Sequence, residues 1–142
     1  MEKTNDNKTS SHREPFPPPS FREAISRAEE QVGYRDMLKA AKGVRALMDM
    51  QLIHECLAIM AEVYMMSDER EIRISGEWLE VRLVKEMYGA VTYEHLYDVV
   101  EAYESLTESV RNKKAYLRAM IYNSVFSLEA STINQINTDP DL

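Results

Sequence analysis

The longest apolar pattern in the chain lies between Val44 and Met66, and it limits the possible fold more than any other feature. Its apolar residues recur every three or four positions, which is the spacing of one face of a helix. More apolar residues flank this stripe, so the helix is expected to be buried on several sides. We therefore expect one long helix, or two abutting helices, at the centre of the core. The residues of the stripe are Met48, Leu52, Cys56, Ile59, Met60 and Val63.

Start and stop signals predict further helices on both sides of this segment. Ser20 and Glu23 have the spacing of a capping box, which begins a helix over Phe21–Val32 that ends at Gly33. The other predicted helices are Tyr34–Lys42, closed by Gly43; Glu80–Tyr88, ended by Gly89; one capped by Thr92; one capped by Asn112; and Leu128–Gln135. The expected core residues are Leu96, Val99, Val100, Tyr103 and Leu106 after Thr92, and Tyr116, Leu117, Met120 and Ile121 after Asn112.

One short segment has strand character instead. Residues Glu71–Ile74 alternate polar and apolar, Ser75-Gly76 suits a two-residue turn, and Glu77–Leu79 supplies a return strand. An isolated hairpin is only marginally stable in water, so this one is expected to lie against helices.

These elements predict a mainly α fold: a compact multi-helix domain with one small β-hairpin. Residues 1–19 contain a proline run and almost no apolar side chains, so we expect a disordered tail or linker. The helical domain is then expected over residues 20–136, followed by a flexible polar end at 137–142.

Residues that could support catalysis or metal binding do not form a recognised pattern. The histidines His12, His54 and His95 lack the spacing of zinc or di-iron ligands, and His54 with Cys56 supplies at most two ligands. Cys56 lies in an apolar stripe, where cysteine is usually a small core residue rather than a nucleophile. With only four glycines, the chain has no phosphate-binding loop. We therefore predict no catalytic residue, no metal and no cofactor.

Composition narrows the compartment and the general class of partner. A single cysteine precludes an internal disulfide and suits a reducing cytosol. No apolar run approaches the roughly 20 residues needed to span a bilayer, so we expect a cytoplasmic protein without a membrane contact. The net charge of −7 makes the chain a poor general binder of nucleic acid.

Charge is nevertheless segregated into two stripes. Acidic residues lie close to one face of the helix that Thr92 begins and of its exit: Glu94, Asp98, Glu101 and Glu108, with Glu104 nearby. The next segment is basic and holds no acid before Glu129, and Lys114, Arg118 and Tyr122 are spaced by four so that they share a helix face. The candidate binding residues of this segment are Arg111, Lys113, Lys114, Arg118 and Tyr122.

Two interpretations of these stripes remain. They could be solvated faces that neutralise each other across a helix hairpin, where each exposed pair contributes only about 0–1 kcal/mol. They could instead form a docking surface for an acidic partner or for single-stranded nucleic acid. Lys113 and Lys114 begin a helix, the end at which positive charge is unfavourable, so stability alone does not explain them.

The segment Thr107–Ser124 resembles a motif of the replication initiator protein A (RepA) family of bacterial plasmids and mobile elements. It reads Thr-Glu-Ser-Val-Arg-Asn-Lys-Lys-Ala-Tyr-Leu-Arg-Ala-Met-Ile-Tyr-Asn-Ser, against the family's Thr-x-x-Val-Arg-Asn-x-Lys-x-Tyr-Leu and a later Tyr-Asn-Ala-Pro. Ile72–Gly76, Val84-Lys85 and Val32–Tyr34 resemble shorter elements of its C-terminal domain in the same order. The chain departs from the family at Glu80 and Val125, where the family commonly has proline, and in its C-terminal ending.

The resemblance implies a helical domain similar to primosome components of the DnaD type. Such a domain would be a non-catalytic part of an initiator and would dock host replication proteins such as primase or the helicase loader. Alternatives are an accessory domain that binds single-stranded DNA weakly and a stand-alone, dimerising regulator of initiation. Within the motif, Asn112, Tyr116, Leu117 and Asn123 are expected to be structural. The charged positions and Tyr122 are expected to bind the partner.

Overall fold

The computed structural model describes residues 17–138, with side chains described as far as Phe126. This part of the chain forms six helices and a two-stranded antiparallel hairpin, which confirms the predicted mainly α class. The elements are α1 (Phe21–Val32), α2 (Tyr34–Ala40), α3 (Gly43–Tyr64), β1 (Glu71–Ile74), β2 (Glu77–Glu80), α4 (Val81–Gly89), α5 (Tyr93–Glu104) and α6 (Lys113–Thr138). Most of the predicted tail, residues 1–16, lies outside the described residues, and residues 17–20 have no regular structure.

Helix α3 is the centre of the core, as its apolar stripe predicts. It is one continuous helix rather than two, and it packs against α1, α4, α5 and α6. Its inner side chains, including Ile53, Leu57 and Met60, are fully buried. Met48 was expected in the core and is instead exposed, because the first turns of α3 have neighbours on one side only.

Three helix starts are fixed by the predicted caps. The Ser20 hydroxyl accepts a hydrogen bond from the Glu23 amide, and the Glu23 carboxylate accepts one from the Ser20 amide. Thr92 caps α5 in the same reciprocal way, with the His95 ring taking the place of the acid. The Asn112 side chain accepts from the Ala115 amide at 3.0 Å. Each cap pairs helix donors that would otherwise lack partners.

Three predicted helix ends are two residues too late, including that of the central helix, which ends at Tyr64 rather than Met66. Helix α2 ends at Ala40 rather than Lys42, because Ala41 and Lys42 are extended, and Gly43 begins α3 instead of closing α2. Leu106 was expected in the core of α5, but the helix ends at Glu104 and Leu106 is exposed. For α2 and α5 the apolar and polar pattern of the sequence continues past the residue at which the helix ends.

The predicted separate helix Leu128–Gln135 is also wrong, since α6 is continuous from Lys113 to Thr138. Val125 is buried in the middle of α6, where a proline would remove a helical hydrogen bond and clash with the preceding turn. Valine at this position therefore permits the helix to continue. Positions 137 and 138 of the predicted flexible end are helical, and residues 139–142 lie outside the described part.

The hairpin forms with the predicted turn. Glu71 pairs with Glu80 and Ile74 with Glu77, and β1 buries Ile72 and Ile74 next to α6. Ser75 and Gly76 both have positive φ, at 53° and 83°, as a type I′ turn requires. The hairpin is thus stabilised by a helix, as its small size demands.

The turn can be tested with two glycine-to-alanine variants. The two glycines have similar space around them and differ in backbone conformation. A Cβ added at Gly76 or at Gly89 would meet no atom within 4 Å, but only Gly76 has a positive φ. Gly76→Ala is therefore expected to lower the free energy of unfolding by about 1–2 kcal/mol. Gly89→Ala is expected to leave it unchanged or slightly higher. Urea denaturation followed by circular dichroism measures both, and an equal loss in the two variants would contradict the turn assignment.

Candidate functional site

The candidate binding residues surround the first three turns of α6. Asn112 caps the helix, and its carbonyl accepts from the Tyr116 amide at 3.0 Å. Arg111 lies just before this cap. On the helix that follows, Lys113 and Lys114 are exposed, while Arg118 and Tyr122 are half-buried. The structure thus brings all five predicted residues to one end of one helix, with unequal exposure.

The two lysines make ion pairs within the chain. Lys113 Nζ lies 2.9 Å from Glu55 Oε1 and 5.3 Å from the centre of the Tyr103 ring, and Lys114 Nζ lies 2.8 Å from Glu62 Oε1. The hydrogen bond to Glu55 raises the pKa of the Lys113 ammonium. Both acids belong to α3, whereas the neutralising alternative placed the partners on the helix begun by Thr92. These lysines therefore attach α6 to α3, which gives them a role that needs no external partner.

The two arginines differ from the lysines. In the part of the chain that the structure describes, neither Arg111 nor Arg118 forms an ion pair. The carbonyl oxygen of Arg118 accepts a hydrogen bond from the Tyr88 hydroxyl at 2.8 Å, which fixes its backbone against α4. Its Nε atom is buried and has no hydrogen-bond partner among the described residues. A buried donor of a charged group without an acceptor is unfavourable, and the terminal nitrogens of the same guanidinium form no ion pair with the described residues.

The remaining residues of the initiator-like motif differ in how deeply their side chains are buried. Leu117 is fully buried, and the Tyr116 ring packs at 5.9 Å from the Tyr103 ring. Together with the Asn112 cap, these two residues hold α6 in place. Asn123 is exposed, so its side chain does not contribute to the core.

The acidic stripe follows the outer face of α5. Glu94, Asp98 and Glu101 are exposed. Glu104 instead approaches α3, where Arg45 Nη2 lies 3.3 Å from Glu104 Oε1 and where Asp49 raises the pKa of the Glu104 carboxyl. The acids of α5 therefore form a solvated surface whose end is joined to the start of α3.

Sequence reasoning missed the residue that joins three of the helices. Gln31 Nε2 donates to the carbonyls of Tyr88 at 2.9 Å and Val91 at 2.8 Å, and Gln31 Oε1 accepts from the Tyr64 hydroxyl at 2.8 Å. These bonds connect α1 with α3 and with the end of α4. A signal was present, because Gln31 is three residues after buried Ala28 and directly before buried Val32. A polar residue so near a core face is expected to have buried partners.

Cys56 and His54, the candidate catalytic residues, have surroundings typical of structural residues. Cys56 is fully buried, and desolvation raises the pKa of its thiol to about 12, so it stays protonated at neutral pH. His54 Nε2 lies 3.2 Å from Glu29 Oε2. Among the residues that the structure describes, no group of three or more histidine, cysteine or acidic side chains has the arrangement of a metal site. No helix in the described range is long and apolar enough to cross a bilayer.

Comparison with known proteins matches the chain to a family model. The model of DUF6017, described as a family of unknown function, matches residues 3–141. No curated protein and no solved structure matches the chain. The matched residues include all six helices and both strands of the described chain. The chain therefore belongs to the DUF6017 family.

Proposed function

We propose that this chain is a non-catalytic protein-interaction domain of a plasmid-type replication initiator. It would act in the cytoplasm and dock a host replication protein such as primase or the helicase loader. The docking residues are Arg111, Arg118 and Tyr122, and the ligand is an acidic segment of the partner. The proposal rests on the resemblance of Thr107–Ser124 to the initiator motif and on one observation of the site.

That observation is the guanidinium of half-buried Arg118, which forms no ion pair among the described residues, with the half-buried Tyr122 one helical turn further along α6. A guanidinium binds a carboxylate through two parallel hydrogen bonds, and a partner that excludes water would strengthen them. Arg111, seven residues before Arg118, adds an exposed positive charge just before the cap of α6. Lys113 and Lys114 contribute less to docking, because their ammonium groups already bind Glu55 and Glu62.

The same pairing disfavours single-stranded DNA as the ligand. Binding to a nucleic-acid backbone depends on a row of cations that can neutralise phosphates. Here two of the four cations are paired within the chain, and the overall charge is −7. An acidic protein segment, which needs only one or two guanidinium contacts, fits the arrangement better.

The test is capture of purified host primase and helicase loader by the immobilised domain. Arg111→Glu with Arg118→Glu is expected to reduce capture at least tenfold. The control is Arg22→Glu with Arg70→Glu, which makes the same change in charge at two exposed arginines elsewhere and should leave capture intact. Because Arg118 is half-buried, Arg111→Glu alone is also measured, and thermal melting verifies that each variant is folded.

Several outcomes would contradict the proposal. Capture that is equal in the site variant and the wild type would exclude this surface, and a complete lack of capture would exclude the named partners. Binding of labelled single-stranded DNA at low salt that the site variant abolishes would assign the surface to nucleic acid instead.

A further inference from the structure

Five exposed apolar side chains of the described chain lie where α2 meets α3. We call it the α2–α3 corner and define it as Met37, Leu38, Lys39, Lys42, Val44, Arg45, Leu47 and Met48. Val44 is 74% exposed, Met48 57% and Leu47 50%. These three side chains share one helix face, since they are three and four residues apart. Leu47 also lines a surface groove with Leu38, so the α2 and α3 parts of the corner are continuous.

Helix α2 contributes little to the core of the chain. Tyr34 is its only buried residue, and Met37 and Leu38 are exposed. A short helix gains most of its stability from packing, so α2 is expected to be stabilised further when its apolar face is covered. Contiguous exposed apolar surface of this kind marks interaction sites in soluble proteins.

The corner is basic although the chain is acidic. Of the four basic side chains in residues 34–48, Arg35 and Arg45 are paired within the chain, so Lys39 and Lys42 carry the positive charge that the corner offers to a partner. Lys39 and Lys42 form no ion pair in the part of the chain that is described. The charge of the corner therefore favours an acidic partner surface.

Helix α5 of the same chain presents such a surface. We call Glu94, Tyr97, Asp98 and Glu101 the α5 ridge: all four are exposed, and their spacing places them on one helix face. Tyr97, at 40% exposed, gives the ridge an aromatic side chain among its acids. An aromatic residue surrounded by charge suits an interface in which apolar contacts lie at the centre and polar contacts at the rim.

The corner and the ridge adjoin each other. Arg45 of the corner lines a groove together with Asp98 and Glu101 of the ridge, and Arg45 also pairs with Glu104 at the end of α5. A surface that is basic and apolar on one side and acidic and aromatic on the other is complementary to itself. Two copies related by a two-fold axis near Arg45 would form both contacts at once, because each copy offers both halves.

We propose that this chain forms a two-fold symmetric dimer in which the α2–α3 corner of each copy binds the α5 ridge of the other. Val44, Leu47 and Met48 pack around the partner's Tyr97, and Lys39 and Lys42 pair with the partner's acids. An anionic membrane fits less well, since the adjoining α5 ridge would be repelled by the same lipids. The dimer surface is separate from Arg111 and Arg118, so the two proposals can fail independently.

The test measures mass by sedimentation velocity over a wide concentration range at low and high salt. The full chain is expected to move from 16.4 kDa towards twice that mass as concentration rises, with weaker association at high salt. The corner variant Lys39→Glu with Lys42→Glu, and the ridge variant Glu94→Lys with Asp98→Lys, should each remain monomeric. A dimer of either variant contains two corner–ridge contacts. In both contacts the reversed charges would lie opposite charges of the same sign.

Association in a mixture of the two variants is the decisive measurement. In the mixed dimer the reversed corner meets the reversed ridge, and the native corner meets the native ridge, so association should return to within a fewfold of the wild type. Val44→Ser should weaken association at least tenfold, while Leu83→Ser, at an exposed leucine on α4, should have no effect. All four positions of the charge variants are exposed, so these variants are expected to fold.

Other results would overturn the proposal. These are a chain that stays at 16.4 kDa up to several hundred micromolar, a dimer that neither charge variant affects, and a mixture that fails to associate. A monomer that floats with phosphatidylserine vesicles, and loses that binding in the corner variant, would assign the corner to a lipid surface.

Discussion

Leu117→Ala is expected to lower the free energy of unfolding by about 2–5 kcal/mol, the largest effect of any substitution considered for α6. Leu117 is 1% exposed and lies on the face of α6 that enters the core beside Ile121. Alanine removes its apolar contacts and leaves a cavity that the surrounding helices fill only in part. Leucine and alanine have similar helix propensity, so the loss reports packing rather than helix formation.

The matched control is Leu83→Ala on α4, where the side chain is 41% exposed. Its expected loss is below about 1 kcal/mol, since little apolar area leaves a packed environment. Urea denaturation followed by circular dichroism gives both values. Equal losses in the two variants would show that α6 does not pack in the way described. The measurement also tests the prediction that Leu117 is a structural residue of the initiator-like motif.

Gln31→Leu is expected to cost about 2–4 kcal/mol, although it replaces a polar side chain with an apolar one of similar size. The substitution leaves the carbonyls of Tyr88 and Val91 and the hydroxyl of Tyr64 without their partner. Each group lies at the junction of α1, α3 and α4, where water replaces the lost hydrogen bonds incompletely. The same junction holds α6, because the Tyr88 hydroxyl binds the carbonyl of Arg118.

Gln51→Leu, at an exposed position on α3, is the matched control and should change stability by less than about 0.5 kcal/mol. Tyr64→Phe removes only one of the three bonds and should cost about 1 kcal/mol. In the double variant Gln31→Leu with Tyr64→Phe the loss should be smaller than the sum, because the unpaired hydroxyl is gone. Additive losses would show that the two side chains do not interact.

Much of the fold could be predicted because local signals and burial agree. The capping residues Ser20, Thr92 and Asn112 act within their own turns, so neighbouring helices do not alter them. The hairpin turn requires positive φ at Ser75 and Gly76. This requirement concerns the two residues themselves and not the helices around them. The width of the α3 stripe indicated burial on several sides, which its position in the core confirms.

The candidate site was predictable in position but not in electrostatic state. The spacing of Lys114, Arg118 and Tyr122 indicated a shared helix face from sequence alone. Which cations find partners depends on the helix that lies opposite, and α3 supplies Glu55 and Glu62 to the lysines. The function proposed for Arg111 and Arg118 remains a prediction.

The helical class, the hairpin and the three capped helix starts follow from the amino-acid sequence, because these features depend on residues within a few positions of one another. Three other features depend on residues far apart in the chain and therefore on how the helices pack. Gln31 joins three helices, the lysines of α6 are neutralised by α3, and the start of α3 is left exposed beside α2 and α5. Periodicity shows which side of a helix is apolar, but only packing determines whether another element covers it.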